Sequence, residues 1–254
     1  MEHQLTTEAA AAWVARWEDQ QELYATAREE RFHVIADVVA HAAQGQRQPR
    51  IADLGCGPGS LASRLAARLP HARVTAVDCD PLLLALGQAQ HSGTVDFVDA
   101  RIGTDPWVGA LDLTGALDAA VSATALHYLP PEVLSAVYEQ IHDHLRPGGI
   151  LVNADHLFQQ DAPVRELAAA VARGHDARRP HHRAESWEGW WAAAAAEPQF
   201  GDLFTARAQR ALGLGSDNGL SAQQHMELMR KAGFEAVGSV WQYGHSCVVV
   251  AVRG

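Results

Sequence analysis

The sequence predicts an α/β protein built on a mostly parallel, seven-stranded sheet with helices on both faces. Short apolar runs alternate with amphipathic stretches of helical period between residues 50 and 154, which is the pattern of consecutive βαβ units. A glycine-rich turn joins the first apolar run to the first helix. The two last apolar runs, 235–243 and 246–253, are separated by two residues and predict an antiparallel C-terminal hairpin.

The individual elements follow from periodicity and from end signals. The first five strands are predicted at residues 50–54, 73–77, 95–98, 117–122 and 150–154, with helices over 61–69, 81–90 and 131–145. Asp80 and Pro81 are typical of an N-cap and a first helical position, so they mark the start of the second helix. Ser221 and Gln224 form a capping box before the hairpin, and Gly233 ends that helix.

Two segments lie outside the sheet pattern. Residues 6–43 have the period of a helix pair, followed by stop signals. Residues 156–220 are too long for a structureless loop and predict three helices, at 162–173, 187–197 and 200–212, inserted as a cap over the carboxyl edge of the sheet. We therefore divide the chain into N-terminal helices (1–45), a sheet domain (46–155 and 221–254) and a helical cap (156–220).

Composition narrows the class of partner. The formal net charge of −10 argues against nucleic acid, whose binding depends on clustered Lys and Arg. No apolar run is long enough to span a bilayer, and the first residues lack the pattern of a signal peptide. Three cysteines without a C-x-x-C pair favour reduced thiols. We expect a cytoplasmic protein that binds a small molecule, with no nucleic-acid or membrane partner and with a homodimer left open.

The most informative motif is the turn at residues 52–60, ADLGCGPGS. Gly55, Gly57 and Gly59 let the backbone turn sharply and let a ligand approach it closely. A dinucleotide fingerprint would have its third glycine one residue later. Asp53, before the turn, would repel a pyrophosphate and attract a cation or an amine.

Two further acids end the next predicted strands. Asp78 closes the second strand, where a carboxylate can accept hydrogen bonds from both ribose hydroxyls. Asp99 closes the third, and its strand-end position favours it over Asp96 and Asp105 as a base-binding residue. Successive ribose and base sites of this kind imply an adenosine without phosphates.

With these motifs the sequence resembles the class I S-adenosylmethionine-dependent methyltransferases, which have a Rossmann-like fold. Residues 52–60 resemble their first motif, and residues 117–129 and 145–152 resemble their fourth-strand segment and the helix-turn-strand after it. The resemblance implies S-adenosylmethionine (SAM) as cofactor and N-terminal helices that close over it. The cofactor-binding residues that we predict are Tyr24, Arg28, Asp53, Gly55, Gly57, Gly59, Asp78, Cys79, Asp99, Ala100 and Ser122.

Methyl transfer from a sulfonium to a small acceptor is an in-line displacement, to which a protein contributes mainly proximity and alignment. An oxygen, nitrogen or carbon nucleophile that carries a proton needs a base, and histidine suits neutral pH. His127 and His156 follow the fourth and fifth strands, at the edge where open α/β sheets bind ligands. We predict both as catalytic residues, although His127 belongs to a Leu-His-Tyr pattern of the family that can also merely shape the pocket.

The cap supplies candidates for acceptor binding. Trp187, Trp190 and Trp191 recur on one helix face, which either packs in the core or forms an apolar wall. The predicted substrate-binding residues are His127, Tyr128, His156, His182, Trp187 and Trp191, and no metal ligand is predicted. Alternatives remain: a SAM-binding lyase or cyclase that acts on the cofactor itself, a non-catalytic SAM sensor, and a metal-assisted methyltransferase in which His127, His156 and a cap histidine converge.

Overall fold

The computed structural model of the chain describes residues 5–104, 106–111, 115–178, 185–212 and 217–254. Within these ranges no helix combines the length and the apolar character needed to cross a membrane. The elements, in chain order, are α1 (Thr7–Gln21), α2 (Arg28–Ala42), β1 (Arg50–Leu54), α3 (Ser60–Arg68), β2 (Arg73–Asp78), α4 (Pro81–His91), β3 (Asp96–Asp99), β4 (Leu117–Ala123), α5 (Pro131–His144), β5 (Leu145–His156), α6 (Ala162–Arg178), α7 (Trp187–Ala195), α8 (Gly201–Gln209), α9 (Ala222–Lys231), β6 (Ala236–Tyr243) and β7 (Ser246–Val252).

The strands form one sheet in the order β3-β2-β1-β4-β5-β7-β6. Strands β1 to β5 pair in parallel, whereas β7 pairs antiparallel with both β5 and β6. The strand order reverses direction between β1 and β4, and a crevice opens at such a point beyond the carboxyl ends of the strands. The predicted fold, a mostly parallel seven-stranded sheet with a C-terminal hairpin, is confirmed.

Helices cover both faces of the sheet. One buried cluster packs α5 and α9 against the sheet, with Tyr138, Ile141 and Met229 at its centre. A second packs α2 and α3 on the other face, through Phe32 and Leu65 among others. Because both faces are covered, the central strands consist almost entirely of buried residues, as expected of a parallel sheet.

The segment after β5 divides its contacts between two parts of the molecule. Helix α6 lies against the hairpin, where Gly244 approaches the Ala168 carbonyl and the Ala172 side chain. Helices α7 and α8 instead pack with α1 and α4, where the fully buried Trp190 contacts Trp13 edge to face at 5.6 Å. The cap helices α7 and α8 therefore share a core with the N-terminal α1.

Some helix ends differ from the sequence prediction. Helix α6 continues through Gly174 to Arg178 instead of ending at residue 173. The added turn is anchored on the hairpin, because Arg178 Nη2 donates to the Tyr243 hydroxyl at 3.0 Å and the His175 ring lies edge-on to the Tyr243 ring. These tertiary contacts outweigh the weak helix propensity of one glycine.

Candidate active site

A cavity of about 790 Å³ lies at the carboxyl edge of the sheet, between the strand ends, α1, α7 and α8. Its wall extends from the ends of β1 and β2 to the ends of β4 and β5. The structure brings eleven of the sequence-predicted site residues together on this wall: Tyr24, Gly55, Gly57, Asp78, Cys79, Ala100, His127, Tyr128, His156, Trp187 and Trp191.

The glycine turn forms the floor of the cavity at the end of β1. Gly55 has φ of +74° and approaches Ala125 so closely that any side chain would collide with it. Gly57 N–H donates to Asp78 Oδ2 at 2.7 Å, while Asp78 Oδ1 accepts from the backbone N–H of Cys79 and Asp80. The carboxylate of Asp78 thus ties the turn to the end of β2 and borders the cavity.

Asp53 lies under the same turn and is 1% exposed. Burial raises its pKa to about 7, and the negative charge of Asp78 raises it as well. Its Oδ2 has no hydrogen-bond partner among the described residues. A smaller cavity of about 70 Å³ is lined by Asp53, Arg28 and Trp17, and it shares Trp17 and Gly57 with the wall of the main cavity. A ligand that carries a positive charge would compensate this buried acid.

Four predicted cofactor residues take other positions. Ser122 is fully buried and its hydroxyl donates to the Leu54 carbonyl at 2.7 Å. Gly59 packs against the Phe97 ring. Arg28 borders only the smaller of the two cavities and forms an ion pair with Glu18 at 2.6 Å. Asp99 accepts hydrogen bonds from the two terminal nitrogens of Arg210, at 2.6 and 2.7 Å. His182 lies outside the described residues.

His127 is paired with a carboxylate that sequence reasoning missed. Its Nδ1 lies 2.8 and 2.9 Å from the two oxygens of Asp155, which is fully buried. Burial acts to lower the pKa of His127, but the hydrogen bond and the charge of Asp155 outweigh it, and the net pKa is raised. Burial acts to raise the pKa of Asp155, yet the bond from His127 leaves it lowered. Because an ionised Asp155 can only accept a hydrogen bond, the neutral form of His127 carries its proton on Nδ1 and leaves Nε2 unprotonated.

The local backbone explains how the pair forms. Strand β4 ends at Ala123, and Thr124 adopts a left-handed φ of +58° before a 3-10 turn, Leu126–Tyr128, carries His127. Such strain in a β-branched residue persists only where neighbours hold it, and Arg31 Nη2 donates to Thr124 Oγ1 at 2.6 Å. Asp155 lies near the end of the adjacent β5, one residue before His156.

His156 differs from His127 in its surroundings. Its backbone N–H donates to Asp155 Oδ1 at 2.8 Å, so this carboxylate bridges both histidines. Burial lowers the pKa of His156 to about 4, although the charge of Asp155 acts in the opposite direction. The imidazole of His156 is therefore neutral at physiological pH.

The aromatic residues of the cap are divided between core and cavity. Trp190 is in the core, with its Nε1 donating to the Trp13 carbonyl at 3.3 Å. Trp187 and Trp191 line the cavity with rings 5.7 Å apart, and the Trp187 N–H donates to the Tyr24 hydroxyl at 3.0 Å. Across the described ranges, no three His, Cys, Asp or Glu side chains are arranged to hold a metal ion.

Comparison with known proteins identifies the fold and the motifs. Residues 51–149 match the family model of a methyltransferase domain. Over 179 residues the chain is 35% identical to trans-aconitate 2-methyltransferase of Streptomyces avermitilis, a match that covers 66% of this chain and 60% of the relative. Residues 51–149 are a methyltransferase domain of the class I S-adenosylmethionine-dependent type.

A second group of relatives is named for a different reaction. The chain is 32% identical over 124 residues to carboxy-S-adenosyl-L-methionine synthase of Aeromonas hydrophila, covering 48% of this chain and 49% of the relative. The chain thus spans about half the length of the curated relatives that it matches.

A solved structure shares the fold. The SAM-bound amino pentose methyltransferase of Micromonospora echinaspora superimposes with a TM-score of 0.55 at 19% identity, covering 89% of this chain and 91% of that one. SAM, predicted from the motifs, is the cofactor of the family.

Proposed function

We propose that this protein transfers a methyl group from SAM to a small-molecule acceptor, with His127 as general base. The observation that carries the proposal is the His127–Asp155 pair on the wall of the same cavity that contains the glycine turn and Asp78. When bound, SAM supplies a methyl group already activated by its sulfonium. The chain would then supply alignment and a proton acceptor.

The cofactor would be held at the β1 and β2 end of the cavity. Asp78 keeps acceptor capacity for the ribose hydroxyls beyond its three backbone hydrogen bonds. Asp53, with its unpartnered oxygen, offers a partner to the positive charges of the ligand. Both residues remain proposed cofactor contacts, as do Tyr24, Arg28, Cys79, Ala100, Asp99 and the turn glycines.

The acceptor would lie at the β4 and β5 end. Asp155 holds the His127 ring with Nε2 free, so that Nε2 can receive the proton of an acceptor hydroxyl or amine as the nucleophile attacks. The neutral His156 can orient the acceptor through a hydrogen bond without adding charge. The N-terminal helix α1 and the cap helices α7 and α8, which line the cavity, would cover a bound ligand, and a cavity of this size favours a small metabolite over a protein or nucleic acid. We expect the protein to act in the cytoplasm.

The proposal is tested with methyl-labelled SAM and a panel of small alcohols, phenols, amines and activated carbon acids. Label should appear in an acceptor with the wild-type protein. His127→Ala should reduce turnover strongly and leave the dissociation constant of S-adenosylhomocysteine (SAH) nearly unchanged. SAM binding without label transfer to any acceptor would refute the proposal.

A second candidate is a reaction on the cofactor itself, favoured by the relatives named carboxy-S-adenosyl-L-methionine synthases. The same glycine turn and carboxylates would serve it. The products distinguish the two, because methyl transfer releases SAH, whereas cleavage releases methylthioadenosine and carboxylation gives a heavier SAM derivative.

A further inference from the structure

The cavity is lined by several aromatic side chains, and Tyr128 lies directly beside the His127 ring at 4.0 Å between centroids. Tyr24 and Tyr128 are 46% and 49% exposed, and they are the aromatic members of the large apolar side chains that the described residues leave exposed. Both line the cavity, together with Trp187 and Trp191. Aromatic rings left open to solvent around one cavity are typical of a surface that a ligand covers.

The distribution of charge along the cavity is uneven. Two arginines, Arg101 and Arg207, line the cavity near the ends of β2 and β3. Arg207 Nε donates to Asp80 Oδ2 at 2.6 Å, and the Arg207 guanidinium lies over the Trp191 ring. Arg101 Nη2 contacts the Arg210 carbonyl at 3.5 Å. Arg207 thus borders the aromatic lining through Trp191, but its charge is already balanced by Asp80.

At that opposite end the fixed charges near His127 are mainly acidic. Asp155 binds the ring, and Asp217 is close enough to act on the charge of His127 and of His156. Arg31 is the nearby cation, but it is fully buried and donates to Thr124 and Ser246. A ligand carboxylate placed beside His127 would leave water without a permanently charged partner, and it would favour the protonated His127 ring, which cannot act as a base.

We infer that the acceptor is an uncharged, planar aromatic compound with a hydroxyl group, a phenol, rather than a carboxylic acid. The rings of Tyr128, Trp187 and Trp191 would hold the ring of the acceptor, and His127 Nε2 would accept the phenolic proton. Phenols, whose acidity is near that of tyrosine, lose a proton to imidazole far more readily than alkyl alcohols do. This inference rests on the proposed methyltransferase function and differs from the tricarboxylate in the name of the Streptomyces relative.

The reaction balances without a further reagent. The phenolic oxygen forms a bond to the methyl carbon while the bond from that carbon to the sulfonium breaks. The electron pair of the broken bond stays on sulfur, which becomes the neutral thioether of SAH. The phenolic proton passes to His127 Nε2 and then to water.

The test uses three probes on the full chain loaded with SAH. 2-Naphthol and 2-naphthoate share the same ring system, but the first carries a hydroxyl group where the second carries a carboxylate. The third probe, trans-aconitate, represents the polycarboxylates. Calorimetric titration should give 2-naphthol a dissociation constant at least about tenfold below those of both carboxylates, because only they place a buried charge without a partner. Exchanging SAH for methyl-labelled SAM should yield labelled 2-methoxynaphthalene.

Two tryptophan variants locate the binding. Trp187→Ala should weaken 2-naphthol binding about tenfold through loss of aromatic contact, while SAH still binds. Trp241→Ala, which removes a partly buried tryptophan on the hairpin, serves as the matched control and should bind 2-naphthol like the wild type. Melting temperatures identify a variant that fails to fold.

The outcomes separate the two proposals. No binding of SAH would refute the proposed function itself. Normal SAH binding together with equal or tighter binding of 2-naphthoate or trans-aconitate, or with no binding of 2-naphthol, would overturn the phenol assignment and leave methyl transfer standing.

Discussion

Arg207 of α8 binds Asp80 at the start of α4, with 2.6 Å between Nε and Oδ2. The other oxygen of Asp80 caps α4 by accepting the N–H groups of Leu82 and Leu83. One carboxylate thus joins the cap to a helix of the sheet domain, at the strand end where Asp78 borders the cavity. A second arginine, Arg210, directly follows the same helix and binds Asp99.

The two arginines should contribute unequally to stability. Arg207→Ala leaves an oxygen of the largely buried Asp80 without its cation and should lower the free energy of unfolding by about 1–3 kcal/mol. Arg210→Ala removes a pair whose side chains are 36% and 48% exposed, and should cost less than about 1 kcal/mol. Urea unfolding of both variants measures the difference, and equal losses would contradict this ranking.

Asp155→Asn should lower the pKa of His127. The variant keeps the size of the side chain but removes the charge that raises the pKa of His127 against the effect of burial. NMR titration of the imidazole should place the pKa of His127 above its ordinary value of 6.5 in the wild type and lower in the variant. Because the base must be neutral to act, the acid limb of the rate profile should move to lower pH and turnover should fall by about 10²-fold or more.

Asp217→Asn is the matched control for that change. Asp217 is exposed and acts on His127 through charge alone, so its loss should move the pKa of His127 less than the loss of Asp155 does. The assignment of Asp155 as the positioning residue would be wrong if both variants shifted the titration equally.

Asp78→Ala should weaken SAH binding much more than His156→Ala. The ribose hydroxyls would donate hydrogen bonds to this carboxylate, and losing them should raise the dissociation constant of SAH by about 10- to 100-fold. Asp78→Asn, which can still accept the Gly57 N–H, should lie between the wild type and the alanine variant. Calorimetric titration that shows equal losses for Asp78→Ala and His156→Ala would refute the division of the cavity into cofactor and acceptor ends.

His225 makes stability depend on pH. It is fully buried, its Nδ1 lies 2.8 Å from the Tyr138 hydroxyl, and burial lowers its pKa from 6.5 to about 4. Since the unfolded chain then binds the proton more strongly, His225 stabilises the fold above pH 6.5 and loses that contribution as the pH falls from 6.5 to about 4. The full change corresponds to about 3 kcal/mol, at about 1.4 kcal/mol for each unit of pKa.

Urea unfolding between pH 7 and pH 4 tests this contribution. His225→Asn should flatten the decline of the unfolding free energy with falling pH. His33→Asn, which removes a histidine whose side chain is 67% exposed, should keep the wild-type decline. An unchanged slope in the His225 variant would show that another group causes the dependence.

The sequence was sufficient for the sheet and for the residues that meet at the carboxyl ends of β1 and β2. Periodicity and end signals placed β1 at Arg50–Leu54 and the start of α4 at Pro81, because these depend on local preferences. The spacing of Gly55, Gly57 and Asp78 predicted that these residues lie next to one another, since the carboxyl ends of adjacent parallel strands meet at one edge of the sheet.

What the sequence could not provide depends on contacts between distant segments. Asp155 looks like an ordinary strand residue, and only the pairing of β4 with β5 brings it to His127. Periodicity placed Trp190 with Trp187 and Trp191, yet packing on Trp13 turns it into the core. The ion pair of Asp99 with Arg210, more than a hundred residues later, could likewise not be predicted from periodicity.

The products formed from SAM test the central claim of methyl transfer most directly. The full-length protein is incubated with SAM and 2-naphthol or another active acceptor, and all adenosine-containing products are quantified by mass spectrometry. SAH and methylated acceptor are expected in equal amounts, and both should be lost in His127→Ala. Methylthioadenosine or a carboxylated SAM as the main product, with no methylated acceptor, would contradict it.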